Sequence, residues 1–139
     1  MDSFAKRYLL VLSTILVIGA AYFLLSSDER VTEINEMLAR DTQLEAYPYH
    51  FRVLRLEDGV AVMGSPRSAE VPVMQFLRTA FPPLSRTAVD DPAMMAAQQE
   101  LARTQSRAME MVRALDDVSA VRWEFDNQWF REHGVFLEY

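Results

Sequence analysis

The hydrophobic and polar positions of this chain fall into three regimes: one unbroken apolar run, stretches of helical period, and stretches of strict alternation. The unbroken run, Tyr8 to Leu25, reads YLLVLSTILVIGAAYFLL, eighteen residues without a charge. Its clearly polar members are Ser13 and Thr14, and a helical hydroxyl can bond back to a carbonyl one turn earlier. A core helix of a globular domain keeps a polar stripe at helical period, and none is present here. At about 1.5 Å per residue the run reaches roughly 27 Å, close to a hydrocarbon core of about 30 Å. It is expected to be a single membrane-spanning helix.

Helical period takes over after the run. Val31, Ile34, Met37 and Leu38 share one face of an amphipathic helix, with Glu33, Glu36, Arg40 and Asp41 elsewhere around it. Such a helix is compatible with a direct continuation of the membrane segment. Pro48 disfavours helix for the residue before it and marks a boundary. Tyr49, Phe51 and Val53 then alternate with His50, Arg52 and Leu54, and Asp58-Gly59 predicts a hairpin turn, because both residues tolerate positive φ. Val60 to Met63 is the returning strand, ended by Gly64, Ser65 and Pro66.

Two helices and a strand follow. The first helix is expected over 68–81, with Pro72 in its first turn and Pro82-Pro83 ending it. The second, longer helix begins with Asp91 as N-cap and Pro92 at its first position, and its inner stripe is Met94, Ala97, Leu101, Ala108, Met111, Val112 and Leu115. Val121, Trp123 and Phe125 then alternate with Arg122, Glu124 and Asp126, which reads as a half-buried strand of an antiparallel or mixed sheet. The tail predicts a turn or short helical loop and a last strand, 135–139. The fold class is α+β: an N-terminal membrane helix, then a sheet of three or four strands, hairpin first, with helices on one face. The predicted organisation is residues 1–7 before the membrane, 8–25 across it, 26–47 an amphipathic linker, and 48–139 the α+β domain.

Charge adds direction and excludes partners. Fourteen basic against twenty acidic residues leave a net charge of -6, which counts against nucleic acid, whose phosphates demand a basic footprint. Beyond Ser26 the count is twelve basic and nineteen acidic. Lys6 and Arg7 precede the apolar run, whereas Ser26, Ser27, Asp28, Glu29 and Arg30 follow it without net positive charge, so the N-terminus is expected in the cytoplasm. The remainder then lies across the membrane, in a bacterium the periplasm. A cleaved signal peptide is the alternative, with Gly19 and Ala21 as small residues before a cut. Tyr22 to Leu25 extend the apolar run past that point, as an anchor does.

Candidate chemistry is sparse. The chain has no cysteine, which removes disulfides, thiolate nucleophiles and cysteine-held metals. His50 and His133 are the two histidines, and neither has a second histidine at metal-ligand spacing. The acid pairs Asp90-Asp91 and Asp116-Asp117 sit at element ends, where capping and turns account for them. Four glycines supply no phosphate loop, and no serine belongs to a recognisable nucleophile motif. The expectation is no enzyme, no cofactor, no metal and no small-molecule substrate. Met94, Met95, Met109 and Met111 read as core filler. The C-terminal aromatics stand out instead: Trp129, Phe130, Phe136 and Tyr139 are the candidate partner-binding residues, because aromatic side chains dominate interface hot spots.

The stretch from Val31 to Ser68 resembles the first half of a BON domain, with Leu38, Asp41, Leu44, Phe51, Val53, Asp58, Gly59, Val60, Val62, Gly64 and Ser68 at matching positions. The segment AMEMVRALDDVSAVRWEF is similar to that family's helix, corner and closing strand. Asp117 stands where the family has glycine, and an extra segment around Pro82 to Arg107 interrupts its single helix. The resemblance implies a periplasmic module that contacts phospholipid surfaces or partner proteins without catalysis. The expected function is thus a membrane-anchored periplasmic interaction module, an accessory subunit binding another envelope protein. A lipid-contacting BON-like domain is the first alternative and an uncharacterised periplasmic enzyme the second.

Overall fold

A computed structural model describes residues 2–138. The chain opens with one unbroken helix, α1 (Ser3–Ala39), followed by a short helix, α2 (Thr42–Ala46). Strands β1 (Val53–Glu57) and β2 (Val60–Ser65) form the hairpin. After α3 (Val73–Ala80), a 3-10 turn (Pro82–Leu84) and the long α4 (Pro92–Arg113), strand β3 (Ala120–Phe125) joins the sheet and α5 (Asn127–Glu132) follows. The sheet order is β1-β2-β3, with β1 antiparallel and β3 parallel to β2. The parallel pair exists because the chain crosses over through α3 and α4 before returning.

The hairpin follows the residues. Asp58 and Gly59 both have positive φ, 48° and 79°, which is the type I′ pattern that matches strand twist. Glu57 pairs with Val60 across that two-residue turn, and the register shifts once, at a bulge between Val53 and Arg55. Gly59 O also accepts the Ser119 amide at 2.8 Å, so the turn is tied to the start of β3.

The two faces of the sheet are covered differently. On the inner face Val53, Ala61 and Met63 join one core with Ile34 and Leu38 of α1, Leu44 of α2, Phe76 and Leu77 of α3, and Met94, Leu101, Ala108 and Val112 of α4. Tyr47, Tyr49 and Phe51 pack among them, Tyr49 edge-on to Phe51 at 4.9 Å and to Phe76 at 5.9 Å. On the outer face Val62 is fully buried yet lies outside that core. Arg55 reaches across β2 to Glu124 at 2.8 Å and holds Glu57 at 2.7 Å, so side-chain stems and ion pairs cover the face that lacks helices. The Arg55 guanidinium holds the Glu124 carboxyl below its ordinary value.

Several expectations change in the folded chain. The first crossover helix starts at Val73 rather than Ser68, because Pro72 is extended and acts as its N-cap, while Ser68 Oγ accepts the Val71 amide in a preceding turn. The stripe of α4 includes Gln105, which is 8% exposed, whereas Met111 and Leu115 are only partly buried. The Gln105 Oε1 has no hydrogen-bond donor among the described residues, a state that costs roughly 1–3 kcal/mol. Residues 135–138 are not a strand, so the sheet has three strands among the described residues. Instead α5 closes in a Schellman motif: Gly134, φ 75°, donates to Arg131 O, and Val135 donates to Phe130 O. Residues 26–47, read as a linker, contribute Ile34, Leu38, Leu44 and Tyr47 to the core.

Candidate functional site: the apolar helix and the aromatic surface

α1 is one helix with two kinds of surface. Its 18-residue apolar stretch is long and apolar enough to cross a membrane, and none of that stretch is buried against the rest of the protein. Ser13 Oγ and Thr14 Oγ1 both bond Leu10 O, at 2.9 and 2.8 Å, which hides their polarity within the helix. The same helix then enters the domain core with Ile34 and Leu38. Asn35 binds the edge of β1 as a neighbouring strand would, accepting from Val53 N–H at 2.7 Å and donating to Val53 O at 2.9 Å. Arg30, roughly 8 Å of helix past Leu25, grips Asp117 in the α4–β3 turn with two 2.8 Å bonds. That contact holds the Asp117 carboxyl below its ordinary value.

At the other end of the domain segment, Asp41 caps α2 through the amides of Gln43 and Leu44 and receives Arg107 from α4 at 2.6 Å. The Arg107 guanidinium, with help from those two amides, brings the Asp41 carboxyl down to about 2. Helix α1 is thus fixed to the domain at Arg30, Asn35 and the Asp41 corner. The end nearest the apolar stretch carries Asp58, Asp116 and Asp117, since the hairpin turn bonds Ser119 and Asp117 bonds Arg30.

The aromatic candidates separate. Trp129 and Phe130 lie on α5, so adjacency puts them about 100° apart rather than on opposite faces of a strand. Phe130 is fully buried and has no surface to offer a partner. Trp129 is half-buried, 5.1 Å from the Phe76 ring and stacked on the His133 ring at 4.0 Å. Phe136 is 79% exposed between the half-buried Val135 and Leu137. Tyr139 lies outside the described residues. The structure therefore leaves Phe136, with part of Trp129, as the accessible aromatic surface of this set.

The charged candidates are mostly occupied locally. Asp91 caps α4 by accepting the Ala93 amide at 2.8 Å, and Asp90 is exposed beside it. His50 lines two shallow clefts, neither of which has Asp90, Asp91 or His133 on its walls. One of them, about 230 Å³, gathers His50, Arg52, Asp126 and Glu132. There Asp126 is already engaged, accepting Tyr49 Oη at 2.9 Å and the Trp129 amide at 3.2 Å. Burial, and then the Asp126 charge, push the Tyr49 hydroxyl far above its ordinary value. Among the described residues no group of three or more His, Cys, Asp or Glu is disposed to hold a metal ion.

A feature the sequence did not announce lies on β3. Asp126 N–H donates to Ser65 O at 2.8 Å, and by alternation along the parallel ladder Arg122 and Glu124 turn their backbone groups toward β2. Val121 and Trp123 then turn theirs outward. Beside them, between β3 and α4, runs a cleft of about 200 Å³ that includes Arg67, Gln105, Ser106, Met109 and Trp123. The buried Gln105 could have been suspected only from its place one turn beyond Leu101 on the inner stripe. No family model, no curated protein and no solved structure matches the chain.

Proposed function

We propose that the chain is a single-pass inner-membrane protein of a bacterium, its N-terminus cytoplasmic, whose periplasmic α+β domain docks another envelope protein without catalysing a reaction. The observation that carries this reading is the continuity of α1, whose exposed apolar stretch leads straight into a helix segment built into the domain core. A domain held at three points on such a rod stands at a fixed height and orientation beside the bilayer. That geometry suits presentation of a surface to a neighbour in the membrane.

The BON-like reading, direct contact with lipid, is also supported by this closeness to the membrane. It is disfavoured by charge: Asp58, Asp116 and Asp117 face the span end of the domain, where anionic headgroups attract cations. A phosphatase reporter fused after residue 139, combined with a photo-crosslinker in place of Phe136 in native membranes, tests the proposal. Reporter activity outside the cytoplasm and an adduct with one envelope protein are expected. A reporter active only in the cytosol, or adducts with lipid alone, would contradict it.

A further inference from the structure

We infer that the outer edge of β3 is a strand-addition site for an extended segment of the partner protein, with a side-chain amide of that segment entering the cleft between β3 and α4. This rests on the partner-binding reading above and names where and how the partner binds. The backbone N–H and C=O of Val121 and Trp123 face away from β2 and have no hydrogen-bond partner among the described residues. The opposite edge of the sheet is defended, since Asn35 occupies the Val53 N–H and C=O. The stretch from Val121 to Trp123 has no such side chain on its outward backbone groups, no proline and no bulge, and an edge of this kind is a template for another strand.

The cleft beside that edge selects the side chain. Trp123 and Met109 form apolar walls, and Arg67 brings a guanidinium that makes no ion pair among the described residues. Gln105, more than nine-tenths buried, lines the same cleft; its Oε1 is unpaired and closed to solvent, so a ligand meets it by a turn of the side chain into the cleft. A ligand that satisfies both groups offers an acceptor to Arg67 and a donor to Gln105. An asparagine or glutamine does so in one planar group. A carboxylate would satisfy Arg67 alone and would approach a domain of net negative charge, with twelve basic and nineteen acidic residues beyond Ser26.

The test selects nine-residue peptides from a random displayed library on the full chain in nanodiscs, then follows amide exchange of β3 by NMR. Enriched peptides should carry Asn or Gln, and their binding should slow exchange at Val121 and Trp123 by at least about tenfold while Arg122 and Glu124, already bonded to β2, change little. Gln105→Leu and Arg67→Met should each weaken the same peptides about tenfold, and Gln105→Leu should leave the chain at least as stable as before. Peptides that bind without slowing Val121 and Trp123, a selection that yields none, or slowing produced by raising the concentration of the chain alone would each overturn the inference. The last result would assign the edge to a second copy. An envelope adduct at Phe136 together with a silent β3 would leave the partner-binding reading standing and remove this one.

Discussion

The two parts of α1 obey opposite rules of burial within one helix. Between Tyr8 and Leu25 nearly every side chain is apolar and none is buried; between Arg30 and Ala39 apolar residues are fewer, and Ile34 and Leu38 are almost completely buried. Apolar content alone does not say what a helix packs against. The first part, with no polar stripe, is long and apolar enough to cross a membrane, whereas the stripe of the second faces a core on one side. Arg30 and Asn35 mark the change, because each spends its polar groups on the domain rather than on water.

Substitutions in the two parts should therefore separate cleanly. Ile34→Ala empties a site inside the core and should lower the stability of the full chain in detergent by about 2–5 kcal/mol, read from the unfolding of the Trp signal. Leu16→Ala, which removes the same kind of surface from the exposed stretch, should leave that transition unmoved. Equal losses from both would break the comparison. Asn35→Ala comes next: it leaves the Val53 N–H and C=O unpaired at the β1 edge and should cost about 1–3 kcal/mol. A loss of only a few tenths would show that water replaces the side chain there.

The acid response gives a smaller and more local check. Asp41, held down to about 2 against an ordinary value of 3.8, contributes stability that is present above its unfolded value and lost as pH falls toward the folded one. Asp117 and Glu124 are lowered too, so they act in the same direction. The unfolding midpoint should fall as pH drops from about 4 to about 2, and Asp41→Asn should flatten part of that slope. A midpoint that rises on acidification would contradict the Arg107 pairing.

The elements that could be read from sequence are those fixed by local chemistry. Asp58-Gly59 specified the hairpin, Asp91-Pro92 the start of α4, and the alternation of Trp123 with Arg122 a strand half in the core. What escaped depended on distant groups. Gln105 looks like a surface residue until α4 is packed and Trp123 sits beside it. Phe130 reads as a free aromatic until α5 forms and turns it under Phe125, 5.5 Å between rings. The alternation of 135–138 resembles a strand, but a strand needs a backbone partner, and Gly134 turns the chain into a Schellman closure instead. The outward-facing backbone of Val121 and Trp123 likewise follows from the parallel crossover, which no local pattern encodes.

The absence of cysteine makes the central claim directly measurable. Single Phe4→Cys, Leu16→Cys and Asp28→Cys variants of the full chain, expressed in intact cells, are exposed to a membrane-impermeant maleimide before and after the inner membrane is opened. The account predicts that position 28 is labelled from outside, position 4 only after opening, and position 16 in neither case. Labelling at position 16 from either side, or at position 4 before opening, would contradict it.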